Sequence, residues 1–282
     1  MKIAWIGTGV MGNPMAHNLH KANYNVHVYN RTSSKAFAME TLGLKAHETI
    51  KSCVKDANYI FMIVGYPKDV LEVTNEIFKY AKEDAIIIDM TTSSPTLAKK
   101  LYDEGLTKGF NLLDAPVTGG DLGAINGNLS IMVGGLEEVF NQVKPLFEQL
   151  GKTINYMGNA GSGQHAKLAN QAAIAGAIAG VAESLAYAKE KGLNLEKMLD
   201  VITKGSASSW QAVNNGAKMI IEDNLPGFYI KHFLKDLNLI LDEAKTFSPL
   251  VVKQVQSIYS KLTDKGYQDL GTQAILKYYL DN

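Results

Sequence analysis

The sequence predicts an α/β fold in its first half, a mostly parallel sheet with helices on both faces, followed by an all-α second domain. Three observations carry this. Short β-rich runs alternate with helical patterns from Lys2 to Tyr156, as in successive βαβ units. Those runs are apolar almost throughout, which is what strands covered on both faces require. After Gly158-Asn159-Ala160-Gly161-Ser162-Gly163 only helical periodicity remains.

Element by element, the candidate strands are Lys2–Ile6, Asn25–Tyr29, Tyr59–Val64, Ala85–Asp89, Asn111–Leu113, Leu129–Val133 and, last, Lys152–Tyr156. Helical segments between them include Pro14–Lys21, Ser34–Leu42, Lys68–Tyr80 and Pro95–Glu104, with Pro14 and Pro95 where a first helical turn tolerates proline. Beyond the glycine-rich junction, helical patterns run through Gln164–Lys191, Leu195–Thr203, Ser209–Glu222, Ile230–Thr246 and Leu250–Thr263. The predicted domains are 1–161 and 162–282. The first helix after the junction is rich in Ala and Gly and is expected to be buried, as the spine of its domain or of a subunit interface.

Composition removes several classes of function. The chain has 282 residues, 46% hydrophobic and 20% charged, enough for roughly two domains with real cores and incompatible with disorder. Lys plus Arg and Asp plus Glu are each 28, so the net basic field needed for non-specific nucleic-acid binding is missing. One cysteine, Cys53, cannot form an intramolecular disulfide, and no Cys/His cluster has zinc spacing. A reducing, cytoplasmic setting and a metal-free scaffold are the expectation. The longest apolar stretch, Ala172 to Ala182, is far shorter than the ~20 residues that span a bilayer. Gly7, Gly9, Gly12 and Asn13 interrupt the apolar start before it reaches the length of a signal peptide. His17 and His20 share a helix face but lack a third ligand, and neither a nucleophile elbow nor a Walker loop is present.

Gly7-Thr8-Gly9-Val10-Met11-Gly12 follows the first strand at once and opens the first helix, the context in which G-x-G-x-x-G reads as a Rossmann dinucleotide fingerprint. Gly7 permits the tight turn, Gly9 lets a pyrophosphate approach the backbone, and Gly12 lets helix pack on strand. At the end of the second strand, where an acidic residue would hold the ribose of NAD, the sequence reads Tyr29-Asn30-Arg31-Thr32. Arg31 offers a charged donor fork suited to a 2′-phosphate, with Asn30, Thr32 and Ser33 as supporting donors. NADP is therefore favoured, NAD being the less favoured cofactor. The alternative is that Arg31 is a solvated loop charge.

Two further segments carry chemistry. Asp114-Ala115-Pro116-Val117-Thr118-Gly119-Gly120 leaves a strand on the carboxyl side of the sheet, where successive Gly N–H groups and the Thr118 hydroxyl could form an anion nest for a carboxylate. Gly161-Ser162-Gly163-Gln164-His165-Ala166-Lys167-Leu168-Ala169-Asn170-Gln171 starts the Ala/Gly-rich helix and places Lys167, Asn170 and Gln171 on one face. If buried, Lys167 would have its pKa lowered from about 10.4, suiting acid–base work near neutrality. Spacing alone leaves open that it snorkels at a helix surface. Ser208, Ser209, Trp210, Phe228 and Phe233 are candidates for pocket lining or for core.

Taken together, Gly7–Asn18, Asp114–Gly120, Gly161–Gln171 and Phe233-Leu234-Lys235-Asp236-Leu237 closely resemble the β-hydroxyacid dehydrogenase family. That family includes 3-hydroxyisobutyrate dehydrogenases, tartronate semialdehyde and glyoxylate/succinic semialdehyde reductases and, more distantly, 6-phosphogluconate dehydrogenase. The resemblance covers essentially the whole chain, with the four motifs in the family's order. It implies that Lys167 is the catalytic acid/base, that Asn170 and Gln171 support substrate and lysine, and that Thr118, Gly119 and Gly120 hold a substrate carboxylate. It implies that Thr92 and Lys235 contact the cofactor and that Asp236 orients Lys235; Val64, at the end of its strand, is counted with the cofactor contacts. Thr118 stands where many relatives have Ser, and Gln171 where Asn is common.

The implied reaction is hydride exchange between nicotinamide and a small hydroxy acid or semialdehyde, with Lys167 exchanging a proton at the substrate oxygen. A homodimer or homotetramer is implied too, with a small carboxylate substrate and no nucleic-acid or membrane partner. Two other readings compete: an imine reductase-like enzyme, which Lys167 argues against, and a non-catalytic NADPH-binding sensor or scaffold.

Overall fold

The computed structural model describes residues 1–280. Its chain runs β1 (Lys2–Ile6), α1 (Gly12–Lys21), β2 (Asn25–Tyr29), α2 (Ser33–Phe37) with a 3₁₀ turn Ala38–Leu42, β3 (Lys45–His47), α3 (Ile50–Val54), β4 (Tyr59–Met62) and α4 (Pro67–Tyr80). There follow β5 (Ile86–Asp89), α5 (Pro95–Thr107), β6 (Asn111–Asp114), β7 (Val117–Thr118), α6 (Gly120–Ile125), β8 (Leu129–Gly134), α7 (Glu137–Phe147) and β9 (Gly151–Gly158). The rest is helical: α8 (Ser162–Glu190), α9 (Leu195–Lys204), α10 (Trp210–Ile220), α11 (Ile230–Glu243), α12 (Leu250–Asp264), a 3₁₀ turn Thr272–Ile275 and α13 (Leu276–Leu280). Contacts divide the chain into two compact units, Met1–Lys167 and Leu168–Asn282, a division that falls inside α8 rather than at its start.

In the first unit the strands form one sheet in the order β3-β2-β1-β4-β5-β6-β8-β7, with β9 also on β8. From β3 to β6 every pair is parallel, β8 runs antiparallel to β6 and β7, and β9 is parallel to β8. Strand order reverses direction between β1 and β4, so the crevice outside their carboxyl ends is where such a sheet takes a ligand. Apolar strands explain the packing: Trp5 and Phe61 stack at 5.3 Å on neighbouring strands, and Phe147 of α7 meets Phe61 edge-on at 6.3 Å. Each fully buried ring or aliphatic chain contributes about 1.5–3 kcal/mol. The Trp5 indole satisfies its N–H on Gly7 O at 2.9 Å, which also steadies the turn leaving β1. Beneath β2, Cys53 of α3 is fully buried, its thiol donating to His27 O at 3.5 Å, and burial pushes that thiol up to about 12.

The second unit packs α8 to α13 around Ile178, Leu185, Phe233, Leu237 and Tyr259, with the Tyr259 hydroxyl donating to Thr272 O at 2.8 Å. Phe233 lies in this core, edge-on to Tyr259 at 5.2 Å, whereas Trp210 is 55% exposed. The apolar run Ala172–Ala182 of α8 is covered on one face within the chain: Ala175, Ile178 and Ala182 are buried, while Ala173 and Gly180 are exposed. Small residues make a helix read as apolar on every face without showing which face is covered.

Boundaries also differ. The strand expected over Tyr59–Val64 stops at Met62, because the Val64 N–H turns to the Thr91 hydroxyl at 3.0 Å. The helix expected over Ser34–Leu42 tightens into 3₁₀ geometry from Ala38 and ends at Gly43, whose φ of 87° suits glycine. Lys45–His47 and Val117–Thr118 are strands too short to show an alternation in sequence.

Candidate active site

The nucleotide loop is shaped by what its glycines lack. A Cβ on Gly7, at φ +96°, would lie 2.0 Å from Ile63 O, and one on Gly12 would lie 1.9 Å from Gly7 O. A Cβ on Gly9 would meet nothing within 4 Å, so the backbone there faces open space that a phosphate can approach. At the start of α1, Met11 makes no side-chain cap; the Asn13 N–H turns back to Gly9 O at 3.0 Å and Pro14 carries no N–H. The Thr8 hydroxyl is buried with no hydrogen-bond partner among the described residues. A buried hydroxyl without a partner and an open glycine at the start of a helix are what a bound pyrophosphate would satisfy, so these residues fit a dinucleotide.

The specificity end of this loop is more constrained than its sequence suggests. The Asn30 carboxamide accepts the Thr8 N–H at 3.0 Å and donates to Thr32 O at 3.0 Å, so both its ends tie β1's exit to β2's exit. Arg31 projects into solvent, 86% exposed, with one guanidinium nitrogen 3.2 Å from Asp69 in the first turn of α4. Asp69 also caps α4 by accepting the Tyr66 N–H at 3.0 Å. The sequence reading passed over Asp69; Pro67 followed by an acid two residues on is the capping signal that marks it. Thr32 and Val10 are exposed, Met11 and Val64 half-buried, and Thr92 half-buried in the loop after β5.

On the same edge, β6 ends at Asp114 and β7 carries Thr118, whose neighbours Gly119 and Gly120 adopt φ of +134° and +66° and start α6. Positive φ at two successive positions is a backbone course that non-glycine residues rarely adopt, and it leaves no side chain at the turn into α6. Asp114 accepts the N–H groups of Gly161 and Gln164, each at 2.8 Å, at the beginning of α8. Burial pushes its carboxyl up to about 6, opposed by hydrogen bonds from Gly161, Gln164 and Gly163. Gln164 is fully buried, accepting the Ser93 N–H at 2.8 Å and donating to Thr91 O at 2.7 Å.

Lys167 follows one turn later in α8 and is 6% exposed, which removes the surface-snorkel alternative. Helix geometry places Asn170 and Gln171 on the same face of α8. In the second unit, the Gln171 carboxamide donates to Asp236 at 2.7 Å and accepts from Asn170 at 3.3 Å. Asp236 of α11 is fully buried and 3.1 Å from the Lys235 ammonium, itself 11% exposed. Gln171 thus reaches α11 with the extra methylene that distinguishes it from Asn. Among the described residues no group of three or more His, Cys, Asp or Glu could hold a metal ion, and no helix is long and apolar enough to cross a membrane.

Comparison with known proteins bears on this arrangement. Residues 2–158 match the model of the NAD binding domain of 6-phosphogluconate dehydrogenase, and residues 161–279 that of the NAD-binding region of NADP-dependent 3-hydroxyisobutyrate dehydrogenase. The chain belongs to the β-hydroxyacid dehydrogenase family. Within that family it is 45% identical to an uncharacterized oxidoreductase of Bacillus subtilis, covering 99% of this chain and 98% of that one. It is 39% identical to the 2-hydroxy-3-oxopropionate reductase of Escherichia coli over 88% of this chain and 86% of the other. The structure of Mycobacterium tuberculosis 3-hydroxyisobutyrate dehydrogenase with L-serine superimposes with a TM-score of 0.89 at 28% identity, covering 98% and 97% of the two chains. The chain is therefore an oxidoreductase of this family with NAD(P)-binding domains.

Proposed function

We propose that this protein is an NADP(H)-dependent hydroxyacid dehydrogenase or semialdehyde reductase in which Lys167 is the general acid/base. The observation that carries the reading is the burial of Lys167 on the helix that opens behind the Asp114 carboxylate. An ammonium is expensive to bury, and general acid–base work at neutral pH is a reason to keep one there. Gly7 to Gly12 and the Thr8 hydroxyl would hold the pyrophosphate, Arg31 a 2′-phosphate, and Val64, Thr92 and Lys235 the remainder of the cofactor. When bound, the nicotinamide supplies the redox chemistry. Thr118, Gly119 and Gly120 would orient the substrate carboxylate by N–H and O–H donation. Lys167 would give its proton to the carbonyl oxygen in reduction and take it back from the hydroxyl in oxidation, while Asn170 donates to the substrate.

Substrates are proposed to be short hydroxy acids and semialdehydes, in keeping with the relatives' names, 2-hydroxy-3-oxopropionate reductase and 3-hydroxyisobutyrate dehydrogenase. A cytoplasmic dimer or tetramer belongs to the same reading; its support is the single, buried cysteine and the exposed Ile221, Leu225, Leu250 and Val251 of the helical unit.

Lys167→Ala is expected to lower turnover by about 10²–10⁴-fold with NADPH affinity nearly unchanged, measured on a panel of short aldehyde and keto acids; near-normal turnover removes the assignment. For the cofactor, Arg31→Ala should erase a preference for NADP over NAD in kcat/KM. A wild-type preference for NAD that the substitution leaves alone would overturn the NADP reading.

A further inference from the structure

A helix start must satisfy its first N–H groups, and the usual supplier is a Ser, Thr, Asn or Asp side chain at the N-cap. At α8 the acceptor comes instead from the sheet. Asp114, at the last position of β6, spans 47 and 50 residues of sequence to take the Gly161 and Gln164 N–H groups, one on each carboxylate oxygen. Gln164 then carries the connection onward, its carboxamide bonding Thr91 O and the Ser93 N–H in the loop after β5. Contact is close enough to exclude side chains. A Cβ on Gly163 would lie 2.4 Å from Met132 O and 2.5 Å from Asp114 O, and one on Gly134 would lie 2.6 Å from the Asp114 carboxylate.

We propose that Asp114 and Gln164 are positioning residues for Lys167, fixing the first turn of α8 against the ends of β5, β6 and β8 and so setting where the Lys167 amine stands. The inference rests on the reading of Lys167 as the proton donor. A local cap would have stabilised the helix start equally well, but it would not have tied that start to the sheet edge. Nor does stability favour a buried carboxylate here, since its charged form is held against desolvation. Two other ionisable groups line the same small cavity: Asp89, its in-register neighbour on β5, and Tyr102 of α5. A protonated Asp114 would turn an O–H toward one of two N–H donors, and the clamp would lose half its hold.

Asp114→Asn keeps the shape and imitates that protonated state at every pH. Turnover is expected to fall about 10- to 100-fold while the NADPH Kd, read by fluorescence titration, changes by less than about threefold. Hydrogen exchange in the peptide carrying Gly161 to Lys167 should quicken. An acid limb near pH 6 in the wild-type kcat profile should be absent from the variant. Gln164→Met cuts only the link to the β5 loop; a smaller loss of the same kind is expected, and it decides the matter should Asp114→Asn fail to fold. Unchanged exchange in the folded variants, or quickened exchange with kcat and its pH profile unmoved, overturns the proposal. Lys167→Ala is assayed alongside: if it stays active, the proton-donor reading is what fails, and the exchange data still report whether the clamp exists.

Discussion

The loop Gly7–Gly12 and the first turn of α8 both lead the chain from a strand end into a helix within the first unit, and they do it by opposite means. The loop removes side chains, so that Gly7 can rest on Ile63 O and Gly12 on Gly7 O. At α8 buried polar side chains are added, Asp114 and Gln164, whose bonds join residues 47 to 73 positions apart. The first leaves open space for an anion that arrives from outside. The second fills its space with internal partners, and the buried Lys167 follows one turn later. A glycine turn and a helix start held by the sheet thus ask different things of a sequence: absence of Cβ atoms in the one, completed hydrogen bonding in the other.

That contrast can be broken deliberately. The largest effect is expected from Gly12→Val, which drives a branched side chain into Gly7 O and Ile63; unfolding free energy should fall by at least about 3 kcal/mol, read from urea midpoints. Gly9→Ala should separate function from stability, because its Cβ meets no atom within 4 Å. Its thermal midpoint is expected to match wild type, while NAD(P)H binding weakens by about 1.5–3 kcal/mol, the value of a hydrogen bond to a charged group. Loss of stability in that variant would mean the loop is not open as described. In the second unit, Gln171→Leu strips Asp236 of one buried partner and should cost about 1–3 kcal/mol in thermal unfolding; no change would show that water replaces the amide.

The smallest effect concerns pH. Burial first, then the charges of Lys2, His47 and Lys45, lower His27 from 6.5 to about 4, so the unfolded chain takes up its proton before the folded one. The stability His27 contributes is therefore present above pH 6.5 and lost as pH falls toward 4. Asp114 runs the other way across nearly the same window: raised from 3.8 to about 6, it favours the folded state below pH 3.8, and that contribution fades as pH rises through 6. Removing one side of this balance with His27→Asn should lessen the stability lost between pH 7 and pH 5 by about 1 kcal/mol, after allowance for solvent screening, as urea titrations at the two pH values would show.

Legibility in the sequence follows the same division. β1, the glycine loop and α1 can be read directly because each glycine acts on its immediate neighbours, and an apolar run before G-x-G-x-x-G leaves few alternatives. Lys167 can be singled out as a cation on an apolar helix, and its burial agrees. Gln164 cannot, since a glutamine near a helix start carries no local sign that its partners lie 71 and 73 residues away. Asn30 reads as a phosphate donor because it flanks Arg31, yet both ends of its amide are engaged by Thr8 and Thr32. Gln171 reads as a neighbour of the substrate, and nothing in its local sequence shows that its carboxamide also donates to Asp236, 65 residues away. Polar side chains declare their chemistry in sequence but not their partners, because the fold chooses among many acceptors.

Cys53 gives the molecule an unintended reporter. As the only thiol in the chain, fully enclosed and protonated far above neutral pH, it can meet a disulfide reagent or an alkylating label only after the sheet edge has parted. The rate at which such a reagent is consumed therefore clocks the opening of the nucleotide-binding unit alone, and any small molecule that slows the clock has announced itself as a ligand of that unit before its chemistry is known.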